Sequence, residues 1–222
     1  MKPAEYPHVK ICCISSIREA DLAIKYGASA IGLVGKMPSG PGVISDELIA
    51  EIAAGVSEDI DTFLLTSETT SEEIINHHRK VNTSTIQIVD RIDTEAYRTL
   101  RNKLPAIKLV QVIHVLDENS VTEAAMYAEY ADALLLDSGN PGLAVKQLGG
   151  TGRTHNWELS LKIREVVNVP IYLAGGINPT NVKDAFNFVR PYGIDLCSGV
   201  RTEGRLDEAK LKEFFDEVSA LI

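Results

Sequence analysis

Few residues of this 222-residue chain are of types that do chemistry near neutral pH, and most of them stand in or at the ends of short apolar runs. Cys12 and Cys13 lie in the run Val9–Ile14, Asp137 ends Ala133–Asp137, and Cys197 ends Gly193–Cys197. A thiol with a lowered pKa serves as a base or nucleophile. The commoner fate of a free cysteine is to be a small buried hydrophobe. Adjacent side chains on a strand face opposite ways, so one of Cys12 and Cys13 is expected to face a site and the other to pack behind it. A carboxylate closing four apolar residues is costly if fully buried, which places Asp137 at the open end of a sheet. There apolar neighbours can raise its pKa into the range of a general acid; its other reading is a turn or helix-capping aspartate.

Glycines supply the second kind of chemistry. Gly149, Gly150, Thr151 and Gly152 form one cluster, Gly175 and Gly176 a second, and Ser198 with Gly199 a third. Without side chains in the way, backbone N–H groups can approach a phosphate closely. A short helix beginning near Ser198 would add its positive end, and the serine hydroxyl a further donor. Glycine also simply permits tight turns. Clusters after two consecutive apolar runs favour the phosphate reading over that alternative. His77, His78, His114 and His155 fall in no catalytic pattern and read as packing or surface residues. No CxxC or Cys/His cluster has metal-ligand spacing, so no metal is expected.

These residues need a scaffold, and the hydrophobic pattern describes one. Eight apolar runs recur along the chain, at Val9–Ile14, Ala30–Val34, Asp61–Leu65, Thr85–Val89, Ile107–Val112, Ala133–Asp137, Pro170–Ala174 and Gly193–Cys197. Near-continuous hydrophobic runs mark strands buried on both faces of a parallel sheet. Between them lie stretches of helical spacing: Ile17–Tyr26, Ser45–Ala54, Ser71–Lys80, Thr94–Lys103, Ser120–Tyr130, Asn156–Val166, Thr180–Val189 and Asp207–Val218. Ser45 and Thr94 are the expected N-caps of the second and fourth. Eight βα units predict an α/β fold, a compact (βα)8 TIM barrel forming one domain over residues 1–222, with the chemistry at the C-terminal ends of the strands. An open doubly wound sheet is the rival, but no GxGxxG turn follows the first run.

Composition narrows the function classes. Acidic residues number 31 against 22 basic ones, a formal charge of −9, which argues against coating nucleic acid or an anionic membrane. Three cysteines are too few for a disulfide framework. The N-terminal residues show no secretory signal, and no run approaches the roughly 20 apolar residues of a membrane span. The expectation is a cytoplasmic protein, monomeric or homodimeric, acting on a small ligand.

Taken together, these motifs resemble the phosphoribosylanthranilate isomerase family, single-domain (βα)8 barrels of tryptophan biosynthesis. The resemblance rests on Lys10-Ile11-Cys12, Leu136-Asp137-Ser138, the loop Gly149-Gly150-Thr151-Gly152-Arg153 with Trp157, Leu173-Ala174-Gly175-Gly176-Ile177-Asn178-Pro179, and Ile194-Asp195 with Ser198-Gly199-Val200. It implies a cofactor-independent Amadori rearrangement of an aldose to a ketose. Asp137 would be the acid that opens the furanose ring and Cys12 the base that takes the C2 proton. Gly175, Gly176, Ser198 and Gly199 would hold the phosphate of a sugar-derived substrate. The loop Gly149–Arg153 would close over the site.

The chain also departs from the family pattern. Cys13 stands where the family has glycine, and Pro38-Ser39-Gly40-Pro41-Gly42 lacks the arginine that pairs with the anthranilate carboxylate. Asp90, His155 and Arg201 replace the usual residues at their positions. Arginine gives a carboxylate two parallel charge-assisted bonds. The candidate cations to substitute for it are Lys36, Arg153 and Arg201, though the sequence does not place them at the site. The alternatives are therefore a paralogous isomerase or lyase acting on a different phosphorylated sugar, and a non-catalytic barrel that keeps the phosphate pocket.

Overall fold

The computed structural model describes residues 7–140, 142, 146, 148, 149 and 152–221. Eight parallel strands close on themselves: β1 (His8–Ile11), β2 (Ala30–Val34), β3 (Asp61–Thr66), β4 (Thr85–Ile88), β5 (Lys108–His114), β6 (Ala133–Asp137), β7 (Ile171–Leu173) and β8 (Gly193–Leu196). β1 closes the ring, with Lys10 opposite Ala30 of β2 and Ile11 opposite Leu196 of β8. Each strand is followed by a helix: α1 (Ile17–Tyr26), α2 (Asp46–Gly55), α3 (Ser71–Val81), α4 (Thr94–Lys103), α5 (Asn119–Tyr127), α6 (Trp157–Val166), α7 (Val182–Val189) and α8 (Glu208–Ser219). The expected (βα)8 barrel is the fold observed.

Two apolar layers hold it together. Outward strand residues such as Val9, Ile31, Leu64 and Leu134 pack under the helices, while Val34, Phe63, Leu65, Val110, Leu135 and Tyr172 fill the barrel interior. Because both faces of every strand are covered, the strands read as continuous apolar runs rather than as alternation. Among the described residues no helix is long and apolar enough to cross a membrane.

Local chemistry sets the element ends. Side-chain oxygens of Ser16, Ser45, Thr70, Asn156 and Asp207 accept from backbone N–H groups in the first turns of α1, α2, α3, α6 and α8. The cap of α4 is Asp93, one residue before the expected Thr94, and it accepts from Glu95 N. α7 starts at Val182 rather than Thr180. Asn178 holds the preceding segment in a turn by accepting from Thr180 N, and it donates its own N–H to Asn181 Oδ1. β5 runs on to His114, beyond the expected Val112. Between β8 and α8 lie two short strands the pattern does not announce, β9 (Arg201–Thr202) and β10 (Arg205–Leu206). They are joined by Glu203 and Gly204, both at positive φ as a two-residue hairpin turn requires.

Candidate active site

β1 and the turn after it carry two groups, Lys10 and Cys12. Lys10 points inward, its Nζ 5.1 Å from the centre of the Phe63 ring. It is fully buried and bonded to Asp195 Oδ1 of β8 at 2.7 Å. Burial opposes the ammonium charge, but the Asp195 carboxylate outweighs it and holds Lys10 protonated well above its ordinary range. Room for these groups depends on Gly32 of β2. A Cβ there would lie 2.8 Å from Cys12 Sγ and 3.0 Å from Lys10 Nζ, so no larger residue fits beside the thiol.

The expectation that only one of Cys12 and Cys13 faces the site is overturned: both line the same cavity. β1 ends at Ile11, and Cys13 takes φ 62°, the left-handed region, which breaks the alternation of a strand. Arg201 holds this turn in place. Its guanidinium donates to Cys12 O at 3.2 Å and Cys13 O at 2.6 Å, pairs with both carboxylate oxygens of Glu19 at 3.1 Å, and reaches Gly204 O. Arg201 is thus a brace beneath the base-bearing turn and does not line the cavity, contrary to its expected place as a carboxylate-binding cation.

Opposite stands Asp137, the last residue of β6 and 8% exposed. Burial raises its carboxyl above the ordinary aspartate value, opposed by a 2.8 Å hydrogen bond from Ser138 N and by the nearby His114. Cys12 moves the other way. A hydrogen bond from the Cys13 thiol lowers its pKa and Lys10 lowers it further, against the effect of burial.

The two groups belong to one cavity, open to solvent at its mouth. Leu65, Val89, Leu135 and Leu148 give it an apolar wall, and Gly175, Gly176 and Ser198 form its rim. Gly175 and Gly176 have φ 81° and 65°, and Asn178 and Asn181 both donate to Gly176 O, fixing the turn. Ser198–Val200 is the expected short helix, of 3-10 type. Gly199 lies so close to Ile177 O that any Cβ would fall 2.0 Å from it. Gly149 sits over Asp137, where a Cβ would be 2.7 Å from Oδ2, and Gly152 approaches the Ser198 hydroxyl. Gly149 thus stands by the acid and Gly152 by the rim. Gly150 and Thr151 fall outside the described residues.

Among the described residues lining the cavity, neither Lys36 nor Arg153 is present. Lys36 is exposed beside a neighbouring depression with Asp90 and Lys146, and the exposed Arg153 packs its backbone under Gly176. The cation that sequence reasoning missed is Lys146, paired with the buried Asp90 just past Val89. The Lys10–Asp195 pair, Gln87 with a buried, unpartnered Oε1, and the two asparagines behind Gly176 were also missed. A signal existed for the first, since a charge within each of two apolar runs invites a partner.

A thiol and a carboxyl set beneath glycine turns at the C-terminal end of a closed barrel define the class of (βα)8 barrel enzymes. Within it, residues 9–217 match the sequence profile of N-(5'phosphoribosyl)anthranilate (PRA) isomerase, and the chain belongs to that family. The N-(5'-phosphoribosyl)anthranilate isomerase of Methanosarcina acetivorans is 32% identical over 223 residues, covering 95% of this chain and 92% of the relative. Among solved structures, phosphoribosyl anthranilate isomerase from Thermotoga maritima superposes with a TM-score of 0.82 at 27% identity, covering 96% of this chain and 99% of that one. A phosphoribosyl anthranilate isomerase in complex with reduced 1-(o-carboxyphenylamino)-1-deoxyribulose 5-phosphate gives 0.80 at 26% identity, covering 96% and 99%.

Proposed function

We propose that the chain converts N-(5'-phosphoribosyl)anthranilate to its 1-deoxyribulose isomer without a cofactor. Asp137 gives its proton to the furanose ring oxygen as the bond from that oxygen to C1 breaks, leaving a protonated Schiff base between C1 and the anthranilate nitrogen. The Cys12 thiolate then removes the C2 proton, whose acidity the iminium raises, to form an enolamine. Protonation at C1 and ketonisation at C2 complete the rearrangement. The glycine turns at Gly175, Gly176, Ser198 and Gly199 hold the phosphate. The Gly149–Arg153 loop excludes water while the intermediates exist.

The observation that carries this reading is the single cavity shared by Cys12 and Asp137, whose pKa values move in the directions a base and an acid need. The test follows phosphoribosylanthranilate fluorescence with the purified protein beside Cys12→Ala and Asp137→Ala. Turnover that falls at least about 100-fold in each variant supports the assignment. Absence of turnover in a folded sample that still binds inorganic phosphate refutes it.

One observation favours a second reading, in which the barrel isomerises another phosphorylated sugar. Among the described residues lining the cavity of Cys12 and Asp137 there is no lysine or arginine to pair with an anthranilate carboxylate, and in the neighbouring depression Lys146 is paired with Asp90. The same assay separates the two, since that paralogue binds a sugar phosphate and ignores the anthranilate compound. A non-catalytic phosphate-binding barrel would show binding and no turnover with any such sugar.

A further inference from the structure

All three cysteines of the chain converge on the cavity, and the proposed reaction uses only Cys12. Cys13 belongs to the turn after β1 and Cys197 directly follows β8, yet the Cys197 thiol donates to Cys13 Sγ at 2.7 Å. Both turns are held by one side chain. Arg201, at the end of the 3-10 turn that follows Cys197, reaches across to the carbonyls of Cys12 and Cys13. The two sulfurs are therefore set against each other by a rigid frame and not by a chance meeting of mobile loops. Cys197 is half-buried and Cys13 is 6% exposed, so a small reagent entering the cavity meets Cys197 first.

We propose that Cys13 and Cys197 are a redox pair, closing to a disulfide under oxidation and reopening on reduction. The oxidant is a small-molecule disulfide, RSSR. The Cys197 thiolate attacks one sulfur of RSSR and expels RS⁻, leaving a mixed disulfide on Cys197. Cys13 then attacks the Cys197 sulfur, its proton passing to the departing sulfur, and expels the second RSH. Two protein thiols lose two electrons and two protons, and RSSR becomes two RSH. A dithiol reductant reverses both steps.

The effect on the site follows from what Cys13 does when reduced. The Cys13 thiol is the largest influence holding the Cys12 thiol below its ordinary value, with Lys10 acting in the same direction and burial and Asp195 against. A sulfur engaged in a disulfide has no proton to donate, so oxidation of Cys13 leaves Cys12 protonated at a pH where it is otherwise a thiolate. This consequence rests on the reading of Cys12 as the base; formation of the bond does not.

The test incubates the full-length reduced protein with glutathione disulfide, quenches with acid, counts free thiols in denaturant and maps cross-linked peptides by digestion without reductant. Expected are a fall from three free thiols to one and a Cys13–Cys197 peptide pair that dithiothreitol releases. Cys13→Ser and Cys197→Ser, which cannot close the bond, should yield no intramolecular disulfide. Three persisting thiols, a bond that involves Cys12, or a bond between two chains would each overturn the pairing. In the fluorescence assay the oxidised protein is expected to lose roughly tenfold or more of its turnover near neutral pH and to regain it on reduction, and Cys197→Ser to be insensitive to the oxidant. A disulfide without loss of turnover overturns the switch. If neither redox form turns over the anthranilate compound, the thiol count still decides the pairing, and the failure belongs to the isomerase reading alone.

Discussion

Asp137 and Cys12 lie in the same cavity, so burial alone would raise the pKa of both. What separates them is the neighbourhood. Asp137, with the Ser138 backbone donor and His114 opposing its burial, stays raised, whereas Cys12 has the Cys13 thiol and the Lys10 ammonium close by and is lowered. The rate should therefore rise with pH as Cys12 ionises and fall as Asp137 does, a bell-shaped profile of kcat/KM. The same residue opposes folding. A carboxyl whose pKa is higher folded than unfolded withdraws stability as pH rises from the unfolded value through the folded one. At pH 7, above the unfolded value, that loss is in place, and Asn at this position carries no charge. Asp137→Asn is expected to raise the thermal midpoint at pH 7 while removing turnover, with the gain vanishing near pH 3. An unchanged midpoint at both pH values would contradict a raised carboxyl.

At the scale of elements, the site depends on β1 and β8 meeting. Their ladder is reinforced inside the barrel by Lys10 and Asp195, which are 2.7 Å apart with the lysine fully buried. Removing one member strands a charge in the interior. Lys10→Met is expected to cost about 3–5 kcal/mol in urea denaturation, and Lys10→Met with Asp195→Leu to recover most of it. A double variant as unstable as the single one would show that the groups do not act as a pair. Arg201 works across the same seam from outside the cavity, joining α1 through Glu19 to the turn after β1. The hairpin β9–β10 sets it at that place: Leu206 N donates to Glu19 Oε1, and Lys210 Nζ donates to Arg201 O.

Across the whole molecule, closure makes every βα unit depend on its neighbours, and the last helix seals the ring. α8 buries Leu211, Phe214, Phe215 and Val218, with the two phenylalanine rings edge to face at 5.5 Å. Phe214→Ala is expected to cost about 3–5 kcal/mol, seen as a lower urea midpoint. Read as one domain, the chain should lose its barrel signal and its α8 contacts in the same transition. A separate early transition on Phe214→Ala would show that α8 detaches as an independent unit.

The eight βα units were legible in the sequence because burial on both faces demands apolar runs, and because helix periodicity and caps are local. α1 and α4 have the expected bounds, and β2 and β6 do too. The grouping of Cys12, Asp137 and the glycine turns at one end of the barrel follows from that pattern, since strand ends of a closed barrel converge. Tertiary structure alone decided the rest. Whether Cys13 faces the cavity depends on a single positive φ, which an arginine 188 residues away helps to hold. Lys10 meets Asp195 across 185 residues, and Lys146 meets Asp90 across 56. Charges find partners by distance in space, and no local periodicity encodes which cation a closed ring will turn toward a site and which it will spend on bracing a turn.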